Sequence, residues 1–278
     1  MSRKASLFSW QSRWIELSEL DAKLGGEAAL IFQHRARGSR SSSHSTSSYL
    51  YFKIEIMPRP PFITFEGSEG CGKSTQVRRL ATRLEKFAIP LLLTREPGGT
   101  PIGEAIRELL QFAPQSASMT AETELLLFEA SRSQLVREVI KPALERGLCV
   151  IADRFLDSTT VYQGAARQLD RQIVEELNRF AVGDCVPDIT FLLDVDAATA
   201  QLRMQAPRRP DRMEQQSAKF YDRVREGYRE LARREPHRIV LIDGTRAADK
   251  IDDEIWGILC SRFPTLPKSE VRDQRSGI

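Results

Sequence analysis

From residue 58 onward, short apolar runs alternate with longer stretches in which apolar positions recur every three or four residues. Runs at 62–66, 90–94, 148–152, 189–195 and 238–242 have the length and character of strands, and the segments between them are too long for hairpins. Helical periodicity occupies 73–87, 102–112, 121–146, 171–180, 197–205, 214–234 and 248–260, with Gly147 placed to stop the third of these. Strands that alternate with helices need crossover connections, and crossovers make neighbouring strands parallel. The pattern therefore predicts an α/β chain of three layers, a five-stranded parallel sheet covered by helices. No internal repeat is present.

Upstream the pattern fades. Residues 38–48 read GSRSSSHSTSS, a polar tract that cannot bury enough apolar area to offset the entropy of ordering it. Residues 1–57 are expected to be a disordered extension, 58–263 the folded domain, and 264–278 a disordered tail. Arg35, Arg37, Arg40 and the serines suit a transit peptide, but Glu16, Glu19, Asp21 and Glu27 break its acid-poor signature. A dispensable extension with Met57 as an alternative start fits better.

Composition narrows the class. Of 278 residues, 41% are hydrophobic, enough for one substantial core, yet no run reaches the eighteen or so apolar residues of a membrane helix. Cys71, Cys149, Cys185 and Cys260 stand far apart with no C-x-x-C pair, as reduced cytoplasmic thiols do. The net charge of +3 resides in the extension: 1–57 holds 8 basic and 5 acidic residues, leaving 33 of each sign downstream. A balanced body without an RNA-binding signature argues against a nucleic-acid partner.

The chemistry begins at Gly67-Ser-Glu-Gly-Cys-Gly-Lys-Ser74, which satisfies G-x-x-x-x-G-K-[ST] between a predicted strand and a predicted helix. Gly67, Gly70 and Gly72 allow backbone N–H groups to turn inward around an anion, and the following helix adds its positive end. In such a loop, continuing through Ser68, Glu69, Cys71 and Thr75, Lys73 reaches the β- and γ-phosphates of ATP and Ser74 ligates magnesium. Glu69 is repelled by phosphate, so it turns either to another part of a ligand or out to solvent.

A P-loop alone does not separate kinases from switches. Asn178 is the only asparagine, so the N-K-x-D element that reads guanine in GTPases is absent. Asp153 and Arg154 follow the third strand, at the sheet edge where α/β ligands bind. Asp153 suits magnesium or its waters, and Arg154 suits a phosphate. Arg95, just past the second strand, converges on the same rim. Phe128 and Arg132 are one helical turn apart, as are Ser158 and Tyr162. An aromatic face with a neighbouring donor can stack and read a base, although Phe128 also suits a core position among Leu125, Leu126 and Leu127. Residues 203–212 concentrate four arginines and two prolines, which reads as a cationic lid at 203–213.

Together these motifs resemble one family. FEGSEGCGKST, TREPGGT, FEASRSQ, ADRFLDSTTVYQG and PDRMEQ are similar in order and spacing to thymidylate kinases, over about 61–263. The resemblance implies a homodimeric nucleoside-monophosphate kinase that moves the γ-phosphoryl of ATP to dTMP with magnesium, for dTTP synthesis. It implies that Phe128 stacks on thymine and Arg132 bonds its edge. It further implies that Arg95 and Arg154 hold the acceptor phosphate, Ser158 and Tyr162 line the pocket, Tyr162 disfavours a ribose, and Glu69 faces the sugar. The loop carries no arginine, so the resemblance assigns that role to the lid, at Arg208 or Arg209, and puts 243–245 beside adenine. Another pyrimidine monophosphate as acceptor is the alternative, and a non-catalytic nucleotide switch the remote one.

Overall fold

Strand β1 (Phe62–Glu66) is entirely buried and forms the centre of a sheet whose strand order is β2-β3-β1-β4-β5, parallel throughout. The other strands are β2 (Leu91–Arg95), β3 (Cys149–Asp153), β4 (Ile189–Asp194) and β5 (Ile239–Asp243). This computed structural model describes residues 61–204, 212–213 and 215–267. The expected extension at 1–57, Arg208 and Arg209 of the lid, and residues 268–278 lie outside them.

The α/β architecture follows the apolar pattern, each strand lying within one residue of its expected bounds. Successive β1 residues face opposite ways. Ile63 and Phe65 pack beside Leu80 and Leu84 of α1 (Lys73–Lys86) and Ile251 and Ile255 of α8 (Ala248–Arg262). Phe62 joins the opposite layer with Leu135 and Ile140, and Leu192 of β4 packs with Val224 and Leu231 of α7 (Ala218–Arg234). Helices therefore cover both faces, which a parallel sheet requires.

Local chemistry sets the helix ends. Thr100 caps α2 (Pro101–Gln111) by accepting from Gly103 N at 2.9 Å, and Pro101 occupies the first turn, where its missing N–H costs nothing. Thr120 caps α3 (Ala121–Leu135), which runs on through a π-helical turn (Val136–Ile140) into Lys141–Glu145. That wide turn directly precedes Pro142, which has no N–H to offer the turn before it. Gly147, at φ 79°, ends the helix where expected.

Several elements differ from expectation: the helix expected from 214 begins at Ala218, and a short 3-10 helix (Pro114–Ser118) precedes α3. A helix, α4 (Leu156–Thr159), continues as a π-helix to Ala166 inside a stretch whose Thr159, Thr160 and Val161 favour strand. The tail differs too: Leu266 is buried in the core, so packed structure passes the boundary expected at 263. The remaining helices are α5 (Arg171–Val182) and α6 (Ala197–Arg203).

Candidate active site

The carboxyl ends of β1, β3 and β4 meet at the glycine-rich loop. A side chain on Gly67 would bring a Cβ to 2.4 Å from Leu193 O, and one on Gly70 would come to 2.5 Å from Ala200 O, both at positive φ. The loop therefore needs glycine for close approach as well as for its turn. Gly72, also left-handed, starts α1.

Lys73 is 7% exposed and its ammonium lies within the loop, donating to Gly67 O at 2.9 Å and Ser68 O at 2.8 Å. Cys71 Sγ is 3.5 Å from the same nitrogen. Ser74 Oγ donates to Asp153 Oδ2 at 2.6 Å, and Asp153 pairs in register with Arg95 of β2. Two hard oxygen donors beside a phosphate loop are the donor set a magnesium ion bound with a nucleotide needs. Thr75 follows on α1, its N–H bonded to Gly72 O.

Beside the loop, Arg154 has φ 72°, a conformation that a non-glycine residue keeps only when its surroundings hold it. Its guanidinium donates to Glu69 Oε1 at 2.8 Å and to Ser158 Oγ at 3.1 Å, and it stacks 5.2 Å from the centre of the Tyr162 ring. Tyr162 OH donates to Glu69 Oε2 at 2.8 Å. Burial alone would raise the Glu69 carboxyl, but Arg154 and Lys73 outweigh it and hold the group below its usual range. Of the two placements open to Glu69, the structure has the inward one. Arg95 is held by Glu104 through two bonds, at 2.8 and 3.0 Å.

Arg132 departs from expectation. A guanidinium that reads a base edge must keep a donor free, yet this side chain is 1% exposed and all five of its N–H directions are taken. Nε and Nη2 reach Glu96, the closest contact at 2.6 Å. Nη1 donates to Glu129 and Asn178, and Nη2 also reaches Thr159 and Phe155 O. Arg132 is a buried knot that ties the loop after β2 to α3, α4 and α5, while Phe128 on α3 is partly buried. Burial pushes the Glu96 carboxyl up to about 7, which Arg132 only partly offsets.

The lid segment is fixed at both flanks. Arg203 donates to Gly244 O at 2.8 Å, and Arg212 donates to Leu110 O at 2.9 Å and to the buried Glu124. Gly244 packs against the loop, since a Cβ there would lie 3.3 Å from Cys71 O.

Four polar residues of the site escaped the sequence reading: Glu66, Glu96, Glu104 and Tyr228. Glu66 had a signal, a carboxylate ending a strand otherwise free of charge. The others acquire their meaning from partners in distant elements.

A glycine-rich anion cradle is thus joined through its own Glu69 to an arginine just past the neighbouring strand β3, at one sheet edge. Residues 65–255 match the thymidylate kinase family model. The chain belongs to the thymidylate kinase family. It is 46% identical over 209 residues to the thymidylate kinase of Geobacter sulfurreducens, covering 73% of this chain and 98% of the relative. It is 48% identical over 194 residues to that of Kosmotoga olearia, covering 70% and 92%. A crystal structure of the thymidylate kinase of Ehrlichia chaffeensis superimposes with a TM-score of 0.59 at 37% identity, covering 73% of this chain and 99% of that one. Among the described residues no helix is long and apolar enough to cross a membrane.

Proposed function

We propose that this thymidylate kinase family member transfers the γ-phosphoryl group of ATP to dTMP, giving dTDP and ADP for dTTP synthesis. The observation that carries the reading is the Glu69–Arg154 pair at 2.8 Å, which joins the ATP loop to the acceptor rim. Phosphoryl transfer asks little acid–base chemistry of a protein; it asks for alignment and for positive charge around the equatorial oxygens. In this reading the loop amides and Lys73 hold the donor phosphates, and Ser74 and Asp153 hold magnesium. Bound there, magnesium neutralises charge on the phosphate oxygens.

Arg95 and Arg154 face the acceptor phosphate, but each is already balanced by a carboxylate, Glu104 and Glu69. The rim is aligned yet close to neutral, so the surplus positive charge must come from Lys73, magnesium and the lid arginines Arg208 or Arg209. Phe128 supplies the stacking face for thymine, with Ser158 and Tyr162 on the sugar and phosphate side. Arg132 supports that wall from behind.

Coupled ADP release with dTMP, dUMP, UMP, CMP, GMP or AMP offered singly tests the reading. Selective turnover of dTMP is expected. Preference for another monophosphate would keep the phosphate site and overturn the base assignment.

Homodimer formation belongs to the same reading. Ile173, Leu177 and Phe180 share one face of α5, and Phe180 is 75% exposed. Such a stripe on a water-facing helix is what a partner subunit covers. Phe180→Glu is expected to shift the chain to monomer in sedimentation; an unchanged dimer, or a wild-type monomer, would rule this face out. The separate thiols suit the reducing cytoplasm as the place of action, and recovery in a secreted fraction would contradict it.

A further inference from the structure

Glu66 ends β1 one residue before the phosphate loop, and its side chain is fully buried. Four donors converge on it. Oε1 accepts from Phe155 N at 2.7 Å and Ser158 N at 3.3 Å. Oε2 accepts from Ser158 Oγ at 2.6 Å and Tyr228 OH at 2.7 Å. The backbone pair starts the short helix α4 at its first turn. The hydroxyl pair bears on Arg154, because Nη1 lies 3.1 Å from Ser158 Oγ and 3.4 Å from Tyr228 OH.

The direction of these bonds follows from counting protons. Each hydroxyl has one, and the two oxygens are 3.0 Å from each other but closer to the carboxylate. Both protons therefore go to Glu66, and lone pairs face Arg154, which has only donors to offer. On its other edge the guanidinium donates to Glu69, so it is gripped from two sides. Tyr228 comes from α7, the first helix after the lid segment. Nothing in the phosphate loop requires Tyr228, and apolar packing alone would be met by phenylalanine.

We propose that Glu66 and Tyr228 are positioning residues for the acceptor phosphate: they orient the Ser158 and Tyr228 hydroxyls so that Arg154 is held facing that phosphate, and they tie this orientation to the helix following the lid. The proposal rests on the reading of Arg154 as a ligand of the acceptor phosphate.

Tyr228→Phe keeps the ring in its apolar cluster and deletes a hydroxyl that donates to Glu66 and accepts from Arg154. A hydrogen bond to a charged group contributes about 1.5–3 kcal/mol, so KM for the monophosphate is expected to rise about tenfold or more. KM for ATP should stay at its wild-type value, which a general loss of structure would not allow; the melting temperature should fall somewhat, because the lost hydroxyl also donates to the buried Glu66. Ser158→Ala should act in the same direction. Glu66→Gln should lose more, since its amide turns a donor toward a place that now accepts. In an Arg154→Lys background, Tyr228→Phe should add nothing.

An unchanged monophosphate KM in Tyr228→Phe, equal changes for ATP and monophosphate, or full additivity with Arg154→Lys would each overturn the proposal. Failure of the dTMP reading is seen separately, in the wild-type chain. If that chain prefers another monophosphate, the same ratios measured with the preferred one decide the positioning role. If no monophosphate is turned over, the Arg154 reading falls and this proposal with it.

Discussion

Replacing Lys73 by alanine is expected to lower the rate of ADP release with saturating dTMP by about 10²–10³-fold, the loss typical of one preorganised charge-stabilising donor. The side chain is nearly buried, and its ammonium is held 2.9 and 2.8 Å from two carbonyl oxygens of the loop. It is therefore positioned before any nucleotide arrives and loses little freedom when the phosphates take over those bonds. Charge on the transferring group is greatest in the transition state, so kcat should fall more than KM for ATP rises. Arginine should not rescue: its planar fork is too broad for a niche shaped for a compact ammonium. Melting curves should be close to wild type, because the loop backbone is held by glycine packing against Leu193 and Ala200. Single-turnover rates with and without the substitution are the measurement. A fall of less than about tenfold would remove Lys73 from the electrostatic role.

Arg132→Met is expected to act on stability. It leaves Glu96 and Glu129 buried without their shared cation, and breaking a buried ion pair on one side costs about 3–5 kcal/mol. For a folded unit of this size that corresponds to a fall of roughly 10 °C in melting temperature. The pH dependence has a definite sign. Burial raises Glu96 above its ordinary value of 4.5 to about 7, so between these values the folded state keeps a proton that the unfolded state has released. This group's contribution to stability therefore declines as pH rises through that window. Without Arg132 the carboxyl rises further and the decline extends to higher pH, so the variant's deficit should be larger at pH 8 than at pH 6. Adding Glu96→Gln and Glu129→Gln should recover part of the loss. Denaturant unfolding at the two pH values is the check. A variant that melts like wild type but loses affinity for dTMP would return Arg132 to the base edge.

The strands, the phosphate loop and the family were legible in the sequence because each is written in neighbouring residues. An apolar run such as 189–195 has one sensible disposition in water, and eight residues from Gly67 to Ser74 contain a whole anion cradle. Even the convergence of Arg95, Asp153 and Arg154 could be inferred, because parallel strands present their carboxyl ends together. Helix α4 was legible only in the one-turn spacing of Ser158 and Tyr162, because its β-branched residues favour strand; its start is held by Glu66, from another part of the chain, which accepts from Phe155 N and Ser158 N. Arg132 shows the same limit. Its spacing from Phe128 placed both on one helix, but whether its donors met a ligand or the protein depended on Glu96 and Asn178, 36 and 46 residues away. The grip on Arg154 joins Glu66 to Tyr228 across 162 residues. Sequence alone determined which chemistry this protein carries, since the reactive groups sit in short local motifs. Tertiary structure decided which charges remain free to use it, since a charge becomes a ligand or a structural tie only when folding brings, or withholds, its opposite.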